Sequence, residues 1–203
     1  MAQDVLEAYR GGRRDFTEVL LSRLDLSDRR LSGADFSRAN LMQVSLTRSD
    51  LKSVNFSDAK LNQVSLWRSD CQEAQFVAAE MSRIEMICAN LSLANLSYAD
   101  LQGVDLRLGV LRSADLRYTN LSGADLSYAD LSQANLSYAN LTGTNLTGAN
   151  LTGANLSHAQ VDRAVFLNAS LEETIVNGVK LDRAEISPKA FVNMMPSLSF
   201  ADR

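Results

Sequence analysis

From Phe16 onward every fifth residue of the chain is apolar, with no break in phase as far as Phe191. Most of these centres are leucine, in an unbroken series from Leu91 to Leu156, and the rest are Phe, Met, Cys, Val or Ile. A period of five fits neither a strand, which repeats every ~2 residues, nor an α-helix, which repeats every ~3.6. The neighbours of each centre follow rules of their own. Two residues earlier, from Ala34 to Ala184, only Ala, Ser, Thr, Val or Gly occurs, with Ile84 as the exception. One residue earlier the chain carries mostly Asp, Asn or another polar residue. The ideal unit stands in Ala124-Asp125-Leu126-Ser127-Tyr128 and Ala149-Asn150-Leu151-Thr152-Gly153. Each unit therefore turns one large and one small residue inward and leaves three positions to water. Its Asp, Asn, Ser and Gly content suits a chain that bends once per pentapeptide.

A longer period lies over the short one. Phe16, Phe36, Phe56 and Phe76 are spaced by 20 residues, as are Tyr98, Tyr118, Tyr138 and His158. Twenty residues are four pentapeptides, which predicts a four-sided coil with like sides stacked. At ~4.8 Å per layer, about nine coils make a rod of roughly 40 Å. The unbroken register predicts one elongated solenoid over residues 16–186, flanked by caps at 1–15 and 187–203. Asp4 to Arg10 should form a short helix stopped by Gly11 and Gly12. Ser187-Pro188 should start a second one over Lys189 to Met195, ended by Pro196. Its Phe191, Met194 and Met195 would either cover the last coil or pair with a second copy, a monomer being the favoured state.

Charge and cysteine content narrow the class. Lys and Arg number 20 against 24 Asp and Glu, a net charge of −4. That is unlike the basic footprint of a nucleic-acid binder. Cys71 falls on the apolar register and Cys88 falls off it, so no disulfide framework is visible and a reducing cytoplasm is expected. The first residues lack the apolar run of a signal peptide, and no stretch is long and apolar enough to span a membrane.

Little here points to catalysis. His158 is the only histidine, so any Ser/His/Asp arrangement would need it, and its surroundings are ordinary repeat positions. One His and two separated Cys do not make a zinc site. No phosphate-binding glycine loop or HExxH motif occurs. Asp35, Asp50, Asp70, Asp100, Asp105, Asp115, Asp125 and Asp130 all precede centres, where a carboxylate can hold nearby backbone at a turn. The expectation is a protein without enzyme activity, cofactor or metal.

Function should sit where outward positions depart from small and polar. Trp67 and Ile87 share a column one coil apart. Cys88 and Leu108 lie beside them, one position on, with Arg48 and Arg68 above and Arg107 below. Such a group has the composition of a binding hot spot, and these residues form the first candidate surface for a protein partner. Tyr98, Tyr118, Tyr138 and His158 form the second, either as recognition residues or as a mutually supporting stack. Arg107, Arg112 and Arg117 face successive sides and make no single patch. Residues 122–157 are otherwise smooth and read as a spacer.

The pattern A(D/N)LXX resembles that of the pentapeptide-repeat family and covers about Phe16 to Ile186. The resemblance implies an all-β fold, a right-handed quadrilateral β-helix with short helical caps. The segment from Asp4 to Phe16 is also similar to the start of cyanobacterial members, a regulator of heterocyst patterning among them. This implies a non-catalytic protein–protein interaction scaffold, in the manner of a regulator of signalling or differentiation. Other members are DNA mimics that inhibit or protect a type II topoisomerase. That alternative requires a strongly negative surface, whereas here the charge is −4 and the centres favour Leu over Phe. A structural rod without a specific partner is the third reading.

Overall fold

The structure of the protein, a computed structural model, describes residues 2–188, 190 and 192. Helix α1 spans Ala2–Arg10, two residues longer than expected at its start. It buries Val5 and Leu6 against the first coil. It ends where the Arg13 N–H returns to the Ala8 carbonyl at 3.0 Å and Gly12 takes a φ of 96°, the left-handed step that glycine permits.

Beyond it the backbone winds with a repeat of 20 residues. Parallel bridges link Asp35 to Asn55, Asn55 to Gln75 and Gln75 to Asn95, and all four sides continue in this way along the rod. Only one residue per pentapeptide pairs over most of the chain, because the corner that follows bends the backbone out of strand geometry. Longer pairings occur at β1 (Leu20–Ser22) with β2 (Asn40–Met42), and at β3 (Val165–Phe166) with β4 (Glu185–Ile186). From Leu26 to Leu156 each centre also donates its N–H to the coil ahead, as Leu96 does to Asp115 at 2.7 Å.

The centre and the small residue two before it both point inward, as the sequence predicts. Leu26 through Leu156 are essentially inaccessible, and so is nearly the whole alanine column between them. Phe16, Phe36, Phe56 and Phe76 stack inside the rod with centroids 5.1, 5.5 and 5.3 Å apart. Serine and threonine are tolerated in the small column because their hydroxyls donate to carbonyls: Ser69 to Leu66 at 2.7 Å, Thr144 to Leu121 at 2.8 Å. Cys71 lies within this core, and burial pushes its thiol up to about 12.

The corners are uniform. Every fifth residue from Glu18 to Gly178 has a positive φ, most of them non-glycine. At most corners the N–H three residues after the centre returns to the centre's carbonyl, as Ala94 does to Leu91 at 3.0 Å. This is a type II turn, whose second corner residue must be left-handed.

At the far end Pro188, Ala190 and Val192 take helical backbone, with Ala190 buried. The remainder of the expected C-terminal helix, with Phe191, Met194 and Met195, lies outside the described residues. Among the described residues no helix is long and apolar enough to cross a membrane.

Candidate functional site

The residues that face outward are positioned by the same three-residue turn. The residue before each centre turns its side-chain oxygen onto the N–H two positions on: Asn95 accepts from Ser97 at 3.0 Å, Asp125 from Ser127 at 2.9 Å. Asparagines in this column also reach the previous coil, as Asn90 Nδ2 donates to Asp70 Oδ1 at 2.9 Å. The acidic residues are thereby committed to turns. Arg107 and Arg117 close ion pairs with Asp105 and Asp115 in their own pentapeptides, and Arg112 reaches Asp130. The arginine at Asp105 holds that carboxyl below the usual range, and the same holds for Asp115. Among the described residues no group of three His, Cys, Asp or Glu is placed to hold a metal.

In many pentapeptides the residue just after the centre meets the residue just before it, as Ser97 Oγ donates to Asn95 Oδ1 at 2.7 Å. Trp67 and Ile87 are half-buried rather than exposed as the column reading suggests. The Arg68 guanidinium covers the Trp67 ring at 5.2 Å from its centroid. Arg48 is held by Asp28, its Nε donating at 2.7 Å. Cys88 and Leu108 are exposed, Leu108 by 56 %. Tyr128, 20 residues beyond Leu108 in the same column, is 64 % exposed and extends this strip. Following the column one coil further in the sequence would have found it.

The aromatic ladder forms as predicted. Tyr98, Tyr118, Tyr138 and His158 stack at 5.0, 5.0 and 4.9 Å, with interplanar angles of 4°, 9° and 20°. The His158 ring lies over Gly178, where an added Cβ would come within 2.5 Å of Nδ1. Tyr128 lies over Gly148 in the same way. Corner side chains thus lean toward the next coil, and glycine ends each aromatic run. The ladder and the Leu108 column are ten residues apart, half a coil, and therefore occupy opposite sides of the rod.

This geometry has a recognisable source. The chain belongs to the pentapeptide-repeat family: the model for pentapeptide repeats (8 copies) matches residues 20–58 and, in overlapping pieces, 74–187. Membership implies a right-handed β-helix. A similar solved structure is HetL, a pentapeptide repeat protein involved in heterocyst differentiation regulation from the cyanobacterium Nostoc sp. strain PCC 7120. It is 30% identical over 90% of this chain and 93% of its own, with a TM-score of 0.40. Rfr23 from the cyanobacterium Cyanothece 51142 is 21% identical over 92% of this chain and 100% of its own, with a TM-score of 0.33. QnrB1, a plasmid-mediated fluoroquinolone resistance protein, is 16% identical over 88% and 95%, with a TM-score of 0.46. No protein of curated function matches the chain.

Proposed function

We propose that this protein is a non-catalytic interaction scaffold in the cytoplasm. It binds another protein through its middle coils, consistent with a regulatory role of the kind named for its cyanobacterial relative HetL. One observation carries the reading. Leu93, Tyr98, Leu108, Tyr118, Tyr128 and Tyr138 are each exposed by 46–64 %, and all six occupy left-handed corner positions. A left-handed backbone favours glycine, and glycine fills the same corners elsewhere on the rod. Ring stacking supports the Tyr98, Tyr118 and Tyr138 column, but it gives no reason for Leu93, Leu108 and Tyr128, whereas recognition does.

Cys88, Leu108 and Tyr128, with Trp67 and Ile87 beside them and Arg48 and Arg68 at the rim, form the primary surface. Tyr98, Tyr118, Tyr138 and His158 form the secondary one. The topoisomerase-directed reading is weaker, because Asp28, Asp70, Asp105, Asp115 and Asp130 each carry a basic partner and cannot present a free row of charge.

The test uses three proteins: wild type, Leu108→Ser/Tyr128→Gly, and Tyr98→Ser/Tyr118→Ser. These substitutions place residue types already found at corners, so all three should show the same circular dichroism. The ladder variant should melt somewhat lower, because serine keeps the left-handed strain and loses the ring stacking. Each is used to capture partners from the source organism's lysate, and any captured protein is then purified and its affinity measured. A partner bound at least tenfold more weakly by the first variant establishes the primary surface. Loss with the second variant only would transfer the site to the ladder. Equal binding by all three, or no partner at all, sinks the reading.

A further inference from the structure

The first coil breaks the rule that the later coils obey at every position but Ile84. The column two residues before the centre, small from Ala34 onward with that one exception, holds Arg14, Val19, Leu24 and Arg29 in its first turn around the rod, and Arg14 and Arg29 are exposed there. Helix α1 explains two of these, since Val19 and Leu24 pack against the core beneath the cap. Arg14 and Arg29 need another explanation.

Both line a pocket of about 330 Å3 where α1 meets the first coil, together with Arg10 and Arg30. Its floor is fixed. Leu6 is buried, and the Tyr9 hydroxyl donates to the Ser32 carbonyl at 2.8 Å. Arg14 lies over the Tyr9 ring, 3.8 Å from its centroid, and its Nη1 donates to the Tyr9 carbonyl at 2.9 Å. The one carboxylate in the wall, Asp28, is already gripped by Arg48. Elsewhere Arg38, Lys52, Lys60, Arg107, Arg112 and Arg117 have an acidic partner within 3.4 Å, whereas Arg23, Arg83 and Arg163 form no ion pair among the described residues. The pocket is therefore distinguished by the number of its arginines, and Arg29 still acts at longer range on Asp25 and Asp28. Here the closest pair is Arg30 with Asp50 at 3.8 Å, and Arg10 and Arg29 form no ion pair among the described residues.

We propose that this pocket binds a small organic phosphate. Four arginines line one volume, the Arg14 guanidinium already held by Tyr9, and a dianionic group with several acceptor oxygens would offset their mutual repulsion. Guanidinium forks match phosphate oxygens two at a time. The apolar floor of Leu6 and Tyr9 suits the organic part, and the volume lies within the range of small-molecule sites, about 300 Å3 and upward.

Phenyl phosphate is the probe, titrated into the full chain by calorimetry at low salt, with benzoate as the monoanionic control. Arg29→Ser and Arg30→Asn together supply the residues that the same columns carry at Ser49 and Asn90, so the fold should melt as wild type does. Saturable binding is expected with a Kd below about 1 mM, weakened at least tenfold by the double variant and at least tenfold for benzoate. A flat titration, benzoate binding as tight as phosphate, or an unchanged affinity in the variant would overturn the proposal. Should the double variant fail to fold, Arg30→Glu alone, at a side chain 85% exposed, carries the same test.

Discussion

At the scale of single residues, the corner position decides most of what is visible outside the rod. A left-handed conformation costs an L-residue ~1–2 kcal/mol relative to glycine. Tyr118 accepts that cost at φ 59°, between rings 5.0 Å away on either side. Two effects oppose each other, and ring stacking of ~0.5–1.5 kcal/mol on each face offsets the strain. Tyr118→Gly should therefore change stability by less than about 1 kcal/mol, a near-neutral result for the loss of a large aromatic. A loss above ~2 kcal/mol in denaturant melts would show that the ladder is structural. The two thiols give a second contrast. Cys71 is buried with its thiol pushed up to about 12, and Cys88 is exposed. Iodoacetamide at pH 8 should label one thiol per folded chain and none in Cys88→Ser, with Cys71 reacting only after denaturation. The inward residues were legible because burial selects by size and polarity every five positions. The bend once per pentapeptide was legible too, but the left-handed residue in it was not: Tyr, Arg and Leu are poor left-handed residues, so local preference gives no sign of a conformation that stacking and the inter-coil hydrogen bonds impose.

The pentapeptide is the element, and its cohesion lies in the side chain before each centre. Asp and Asn serve alike there as acceptors for the N–H two residues on, but only Asp titrates. At Asp115 the Arg117 guanidinium is the main cause that lowers the carboxyl. At Asp130 burial works the other way, yet the Ser132 hydroxyl and Arg112 outweigh it and the carboxyl is again lowered. A carboxyl lowered in the folded state contributes stability above the unfolded value of about 3.9 and loses it as pH falls through the folded value. The melting temperature should stay level from neutral pH to about pH 4 and fall below it. Asp115→Asn should flatten that fall while keeping the turn; a variant with the wild-type acid limb would remove Asp115 from the account. The turn role of these acids could be read from spacing alone. Trp67 and Ile87 were read as exposed because the column was legible but the burial by neighbours, such as Arg68 over the Trp67 ring, was not. Likewise Arg14 and Arg29 sit where the pattern had not yet begun, so no rule flagged them.

Across the whole molecule, bonding runs only between neighbouring coils, which makes the rod close to one-dimensional. A defect should then matter according to its place along the axis. Leu131 and Val176 are both fully inaccessible centres, and an aspartate at either would bury a charge without a partner, a cost of several kcal/mol. At Leu131 the coils on both sides stack against the damaged one, so the structure must either keep the charge buried or divide into two shorter rods. At Val176 the chain can release its last coils and keep the rest. Leu131→Asp should therefore lower the melting temperature by more than about 10 °C or abolish the single transition. Val176→Asp should leave the main transition within a few degrees of wild type. Hydrogen exchange reads the difference directly: in Val176→Asp, protection should vanish at Ile175 and Glu185 yet persist at Asn55 and Asn95. Loss of protection along the entire rod would mean that the coils unfold as one cooperative unit rather than as a sum of neighbours.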